Sequence, residues 1–237
     1  MMTSLQMAPR PSGFPMLRPC SLVLLLASLL AVQASAANVN LASAKSESGY
    51  VARLLINEVP FPGERGWESE ADSKDAMRQV LLVLDARLHH IPARYTQKQI
   101  ATVQTDDMIT LMTAGGERGQ IDGFYLNEAG QPVTVARVQS RIDYLMGIAG
   151  QGKPGTFARL LNHAQTLSNA YFAQRLTESD IFEPLEVVGN IPVTGRAYSW
   201  MTDVGQYHPG GRYVKIPDYE QGSLGGNRFF TLKDLTK

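Results

Sequence analysis

Apolar positions recur at helical spacing in four stretches of this chain. Tyr50, Val51, Leu54 and Leu55 form one stripe and predict a helix from Gly49 to Glu58. Pro60 and Pro62 stop it. Ala76, Met77, Val80, Leu81, Leu84 and Leu88 predict a second helix, Asp72 to Leu88, apolar enough to be the central core helix. Its start, Ser69 to Asp75, is acidic and rich in N-cap residues. Third and fourth helices are predicted over Val135–Ile148 and Thr156–Gln174, with a short one around Gln97–Val103 and an ambiguous apolar patch at Met108–Met112.

The remaining stretches lack that period. After Gly115-Gly116, Gln120–Leu126 and Pro132–Val135 read as arms of a hairpin around the turn Asn127–Gly130. Ala37–Ser48 reads as a flexible leader. The tail from Val187, rich in Gly, Tyr and Pro, reads as irregular structure with short strands. Helices, a small β element, more helices and a β-like tail predict an α+β fold with helix dominant.

Composition changes the picture at the N-terminus. Arg10 and Arg18 precede an apolar run, Ser21–Val32, that ends in Ala34-Ser35-Ala36. Basic region, short hydrophobic core and small-residue site are the layout of a secretory signal peptide, which predicts export and cleavage after Ala36. The run is shorter than the roughly 20 residues a membrane span needs. The mature chain would be Ala37–Lys237, with 20 basic against 22 acidic side chains and a net charge near −2. That balance offers no reason for a nucleic acid or an anionic membrane as partner. The sole cysteine, Cys20, leaves with the signal peptide, so stability must come from packing without disulfides. Export without disulfides suits a bacterial envelope or periplasm.

The chemistry-bearing residues narrow by elimination. Gly147–Lys153 fits seven positions of a phosphate-binding loop, but Pro154 stands where the Mg²⁺-holding Ser/Thr belongs and a helix precedes it, so no nucleotide is expected. His89, His90, His163 and His208 show no metal-ligand spacing, and neither a metal nor another cofactor is expected. No Gly-x-Ser-x-Gly elbow is present. Carboxylates remain. Glu64, Glu68, Glu70 and Asp72 read as a solvated acidic surface, with Glu64 beside Arg65 and Trp67 at a Pro/Gly corner. Glu58 differs, because it continues the Leu54/Leu55 stripe at the helix end. A glutamate against apolar neighbours has its charged form disfavoured, which suits a general acid. Tyr198, Trp200, Tyr207, Tyr213, Tyr219, Phe229 and Phe230 crowd the tail, where aromatic faces could stack on sugars or simply fill the core.

Three blocks together resemble the spore cortex-lytic type of cell wall hydrolases. The first runs from Leu55-Ile56-Asn57-Glu58 through Gly66 into the apolar helix Ala76–Arg87; the second is Gly195–Trp200; the third is Leu224–Phe230. The chain departs from that family at Pro60 and Pro62, at Asp85 where Asn is common, and at Asn227 or Arg228 where His is common. The resemblance implies a lysozyme-like catalytic domain over residues 49–237. It further implies cleavage of peptidoglycan strands between N-acetylmuramic acid and N-acetylglucosamine by lytic transglycosylation, with Glu58 as the catalytic glutamate. Glu64 is a second candidate carboxylate, and Gln120, Tyr125, Tyr198, Trp200 and Asn227 are candidate substrate contacts. A non-catalytic peptidoglycan-binding protein and a two-carboxylate muramidase using Glu58 and Glu64 remain alternatives. No feature of the sequence decides oligomeric state.

Overall fold

Between Gly49 and Phe61 no residue is exposed, so the first helical stripe is enclosed rather than half-buried. The computed structural model describes residues 39–152, 155–174, 185–202, 210–217 and 224–237, all within one compact unit. The predicted signal peptide, Tyr207, His208 and Tyr219 lie outside the described residues.

Helix α1 (Glu47–Glu58) starts at Ser46, whose hydroxyl accepts from the Gly49 amide at 3.1 Å. It packs against α2 (Glu70–His89), α5 (Ala136–Gly150) and α6 (Thr156–Phe172). The apolar spacing predicts α2 as the central core helix. In the structure α1 shares that place, enclosed by α2, α5 and α6, and its Gly49 lets the backbone of Ala42 and Ser43 come close. A Cβ on Gly49 would lie 2.1 Å from the Ser43 carbonyl oxygen. That approach also corrects the leader. Val39 and Leu41 pack against the core, the Ala42 amide donates to Gln165 Oε1 at 2.8 Å, and Arg53 Nη1 donates to the Ala42 carbonyl at 2.8 Å. The segment is held by backbone polar groups, which leave no apolar period to read.

Helix α2 is capped by Ser69, and Glu70, one of two acidic residues in its first turn, ties it to α6 through Arg159 at 2.7 Å. Arg159 beside Glu70 holds that carboxyl down to about 2. The ambiguous patch is helix α4 (Met108–Thr113), following the short α3 (Gln97–Ala101). The hairpin is present but shorter than predicted. Strand β1 (Phe124–Leu126) pairs antiparallel with β2 (Pro132–Thr134), and the Tyr50 hydroxyl donates to the Val133 carbonyl at 2.8 Å, pinning the hairpin to α1.

The tail is the largest correction to the irregular segment that was expected. Strands β3 (Leu185–Val188), β4 (Ile191–Thr202), β5 (Tyr213–Lys215) and β6 (Asn227–Lys233) form an antiparallel sheet in the order β3-β4-β6-β5. Gly195, at φ +93°, sits in β4 where the register shifts between Val193 and Ala197, so the two-residue alternation is broken there. Strand β4 lies on α2, with Arg87 Nε donating to the Tyr198 carbonyl at 2.7 Å. The fold is α+β, as expected, with a regular sheet in place of the irregular tail.

Candidate active site

Pro60 cannot donate to a continuing helix, and Val59 is already extended, so α1 ends with Glu58 as its last helical residue. The carbonyls at that end need partners from elsewhere. Arg141 of α5 supplies two, donating from Nη1 to the Ile56 carbonyl at 2.7 Å and from Nη2 to the Val59 carbonyl at 2.9 Å. Asn227, the first residue of β6, supplies another through Nδ2 to the Glu58 carbonyl at 2.6 Å. The Ser73 hydroxyl takes the Pro60 carbonyl at 2.8 Å. The residue at this helix end is therefore held by α2, α5 and β6 at once.

The Glu58 carboxyl accepts from Trp200 Nε1 at 2.8 Å on Oε2 and from Asn57 Nδ2 at 3.2 Å on Oε1. Burial pushes its pKa up from the ordinary glutamate value. The Trp200 and Asn57 hydrogen bonds and the charges of Arg141 and Arg137 oppose that shift without cancelling it. The group is a carboxylic acid biased toward its protonated form, with defined donors on both oxygens.

Two clefts meet at this carboxyl. One, about 520 Å³, is lined by Arg87, Gln120, Ile121, Asp122, Arg137 and the β4 residues Ser199–Thr202. The other, about 500 Å³, is lined by the Val59–Pro60 bend, Glu64–Gly66, Glu68, Arg141 and Gly225–Gly226. Asn57, Glu58 and Thr202 border both. In the second cleft, Gly225 at φ +48° packs so closely on α2 that a Cβ would lie 2.7 Å from that of Ala76. The arrangement places one desolvated acid on the border that the two clefts share.

The other predicted residues separate. Trp200 lines the first cleft and holds Glu58; one face of its ring carries the Arg87 guanidinium, 5.3 Å from the ring centroid. Gln120 also lines this cleft, but both ends of its amide are engaged: Nε2 donates to the Leu111 carbonyl at 2.7 Å and Oε1 accepts from Arg87 Nη1 at 3.3 Å. Glu64 borders the second cleft as a structural anion. Arg141 clasps it bidentately, through Nη2 at 2.5 Å and Nε at 3.0 Å, and the Phe61 amide donates to it at 2.7 Å. Tyr198 does not face either cleft. It is buried beneath the sheet, its hydroxyl donating to the His90 carbonyl. Tyr125 contributes its backbone to the hairpin and lines neither cleft. Asn227 is fully buried and positions Glu58 rather than reaching a ligand. Phe229 and Phe230 belong to the core.

Sequence reading missed Arg87 and Arg141. Arg87 had a faint signal, since it stands three residues after Leu84 and seven after Val80 on the apolar stripe of α2. Arg141 had none, because its partners lie 77 to 85 residues away in the chain. Among the described residues, no group of three or more His, Cys, Asp or Glu is placed to hold a metal ion, and no helix is long and apolar enough to cross a membrane.

No family model matches this chain, and no curated protein or solved structure matches it significantly. The functional reading therefore rests on the residues and their geometry.

Proposed function

We propose that this protein is an exported, lysozyme-like enzyme that cuts peptidoglycan glycan strands by lytic transglycosylation, with Glu58 as acid and then base. The observation that carries the reading is the single desolvated carboxyl of Glu58 at the junction of two clefts. A polymer lying along both lobes would present a glycosidic oxygen to that carboxyl. The three blocks that resemble cell wall hydrolases support it as well. They are remote in sequence, yet Glu58, Trp200 and Asn227 are joined by hydrogen bonds.

In the proposed reaction the Glu58 carboxyl protonates the oxygen between muramic acid and N-acetylglucosamine as the bond to C1 breaks, through an oxocarbenium-like state. The resulting carboxylate then takes the proton of the muramic acid's own 6-hydroxyl as O6 closes on C1. The products are a free 4-hydroxyl and a 1,6-anhydro ring; no water is consumed, and Glu58 ends protonated. Hydrolysing glycosidases commonly use two carboxylates at a set separation, whereas an internal hydroxyl removes the need for the second. The engagement of Glu64 by Arg141 and the Phe61 amide favours this one-acid scheme over a muramidase pair.

Digestion of purified sacculi with the mature protein, followed by mass spectrometry of the released fragments, tests the proposal. Anhydro-muropeptides from the wild type and none from Glu58→Gln are expected. Reducing muramic ends would establish hydrolysis instead, and binding to sacculi without release would establish a binding protein.

A further inference from the structure

Among the described residues, Arg87 is a buried cation without a counter-ion. Only 7% of the residue is exposed, and its protein partners are all neutral: the Tyr198 carbonyl on Nε, Gln120 Oε1 on Nη1, and the face of Trp200. Nη2 has no hydrogen-bond partner among the described residues, yet it is not sealed from solvent as Arg53 Nε is. Among the described residues, the cleft that Arg87 lines contains two carboxyls. Asp122 already pairs with Arg137 at 2.5 Å, with both side chains more than half exposed. Glu58 is biased toward its neutral form. Burying a guanidinium without a paired anion is costly, and desolvation depresses the Arg87 pKa accordingly. A planar group with free N–H donors facing a cleft matches a carboxylate.

We infer that this cleft is a carboxylate-binding subsite and that Arg87 Nη2 is its donor. This rests on the glycan-cleaving reading above and narrows its substrate class. The strand would be recognised through a carboxylate on the muramic acid substituent rather than through its sugar rings alone. Two sources share that chemistry: the lactyl carboxylate of a strand stripped of peptide, and a carboxylate of an attached peptide stem. Gln120 positions the guanidinium by accepting from Nη1, and Trp200 supports it from one face.

The test measures binding to the full mature chain carrying Glu58→Gln, by calorimetry, so that no ligand is consumed. Four ligands are compared: a glucosaminyl-muramyl tetrasaccharide with free lactyl carboxylates, its methyl ester, a stem-bearing tetrasaccharide, and that ligand with its stem carboxylates esterified. The expected result is that one acid binds roughly ten- to a hundredfold more tightly than its own ester, the range of a charge-assisted hydrogen bond. The acid that shows the difference identifies the source. Adding Arg87→Gln should collapse the difference while leaving the ester's affinity nearly unchanged. Should that double variant fail to fold, the acid-to-ester comparison with Arg87 intact already decides the matter. Equal binding of both acids and their esters would overturn the subsite, while sacculus cleavage by the wild type would leave the enzyme reading standing. Failure to bind any of the four, with sacculi uncut, would overturn both.

Discussion

The indole N–H of Trp200 donates to Glu58 Oε2 at 2.8 Å, across 142 residues of sequence. This bond favours the carboxylate and so opposes the upward shift that burial imposes on Glu58. Trp200→Phe keeps most of the ring and removes the donor, so the Glu58 pKa should rise further. If Glu58 must be protonated to act, the high-pH limb of kcat/KM for fragment release should move to higher pH in Trp200→Phe. A pH–rate profile on sacculi checks this; an unmoved limb would mean that a different group titrates.

Glu58 also makes a stability prediction. Its folded-state pKa is raised, so the folded chain takes up this proton first as pH falls. The stability it contributes is fully present below the ordinary glutamate value near 4.3, and is lost as pH rises through the higher folded value. Glu58→Gln keeps an acceptor for Trp200 and removes the buried charge. It should raise Tm relative to wild type at pH 7, by about 2–4 °C for each kcal/mol gained. The gain should shrink toward pH 4. Thermal scans at both pH values check it, and a lower Tm at pH 7 would mean that the charge is compensated.

Glu64 and Arg141 should behave as structure. Arg141 joins Glu64 to two carbonyls at the end of α1, so Arg141→Ala strips a partner from four acceptor oxygens. It should cost about 1–3 kcal/mol of stability. Glu64→Gln can still accept from the Phe61 amide and should release fragments within about tenfold of the wild-type rate, where Glu58→Gln releases none. Equal loss in both variants would point to the two-carboxylate muramidase.

How far the site could be read from sequence follows from where its signals are local. Glu58 stood out because a helical stripe and two prolines are short-range features that both converge on it. Trp200 and Asn227 stood out through motif resemblance, but the role given to Asn227 was wrong in kind. An asparagine 169 residues from the carbonyl it serves carries no local sign of being an anchor. Tyr198 was misplaced for a related reason. Residues two apart on a regular strand share a face, so Tyr198 and Trp200 read as neighbours on one side, whereas a second register shift of β4, between Ala197 and Ser199, breaks the alternation between them. Glu64 and Arg65 looked like a surface pair, whereas the partner of Glu64 is Arg141 on α5. Long-range ion pairs of this kind leave no period.

Asn227 gives the sharpest structural test. It is fully buried, and Nδ2 donates to the Glu58 carbonyl at 2.6 Å and the Gly225 carbonyl at 3.2 Å, joining the end of α1 to the turn before β6. Both partners are acceptors, so only a donor serves at this position. Asn227→Asp would set a carboxylate against two carbonyl oxygens, in a place with no exposure to water. It should cost more than Asn227→Ala, which leaves the carbonyls unpaired at about 1–3 kcal/mol without adding a charge. Because the lost bond fixes the residue that carries the acid, kcat should fall in the alanine variant beyond what the unfolded fraction explains. Urea titrations and initial rates on sacculi, measured where both variants are folded, separate the two effects. An aspartate variant as stable as wild type would mean that Glu58 is held by its other contacts alone.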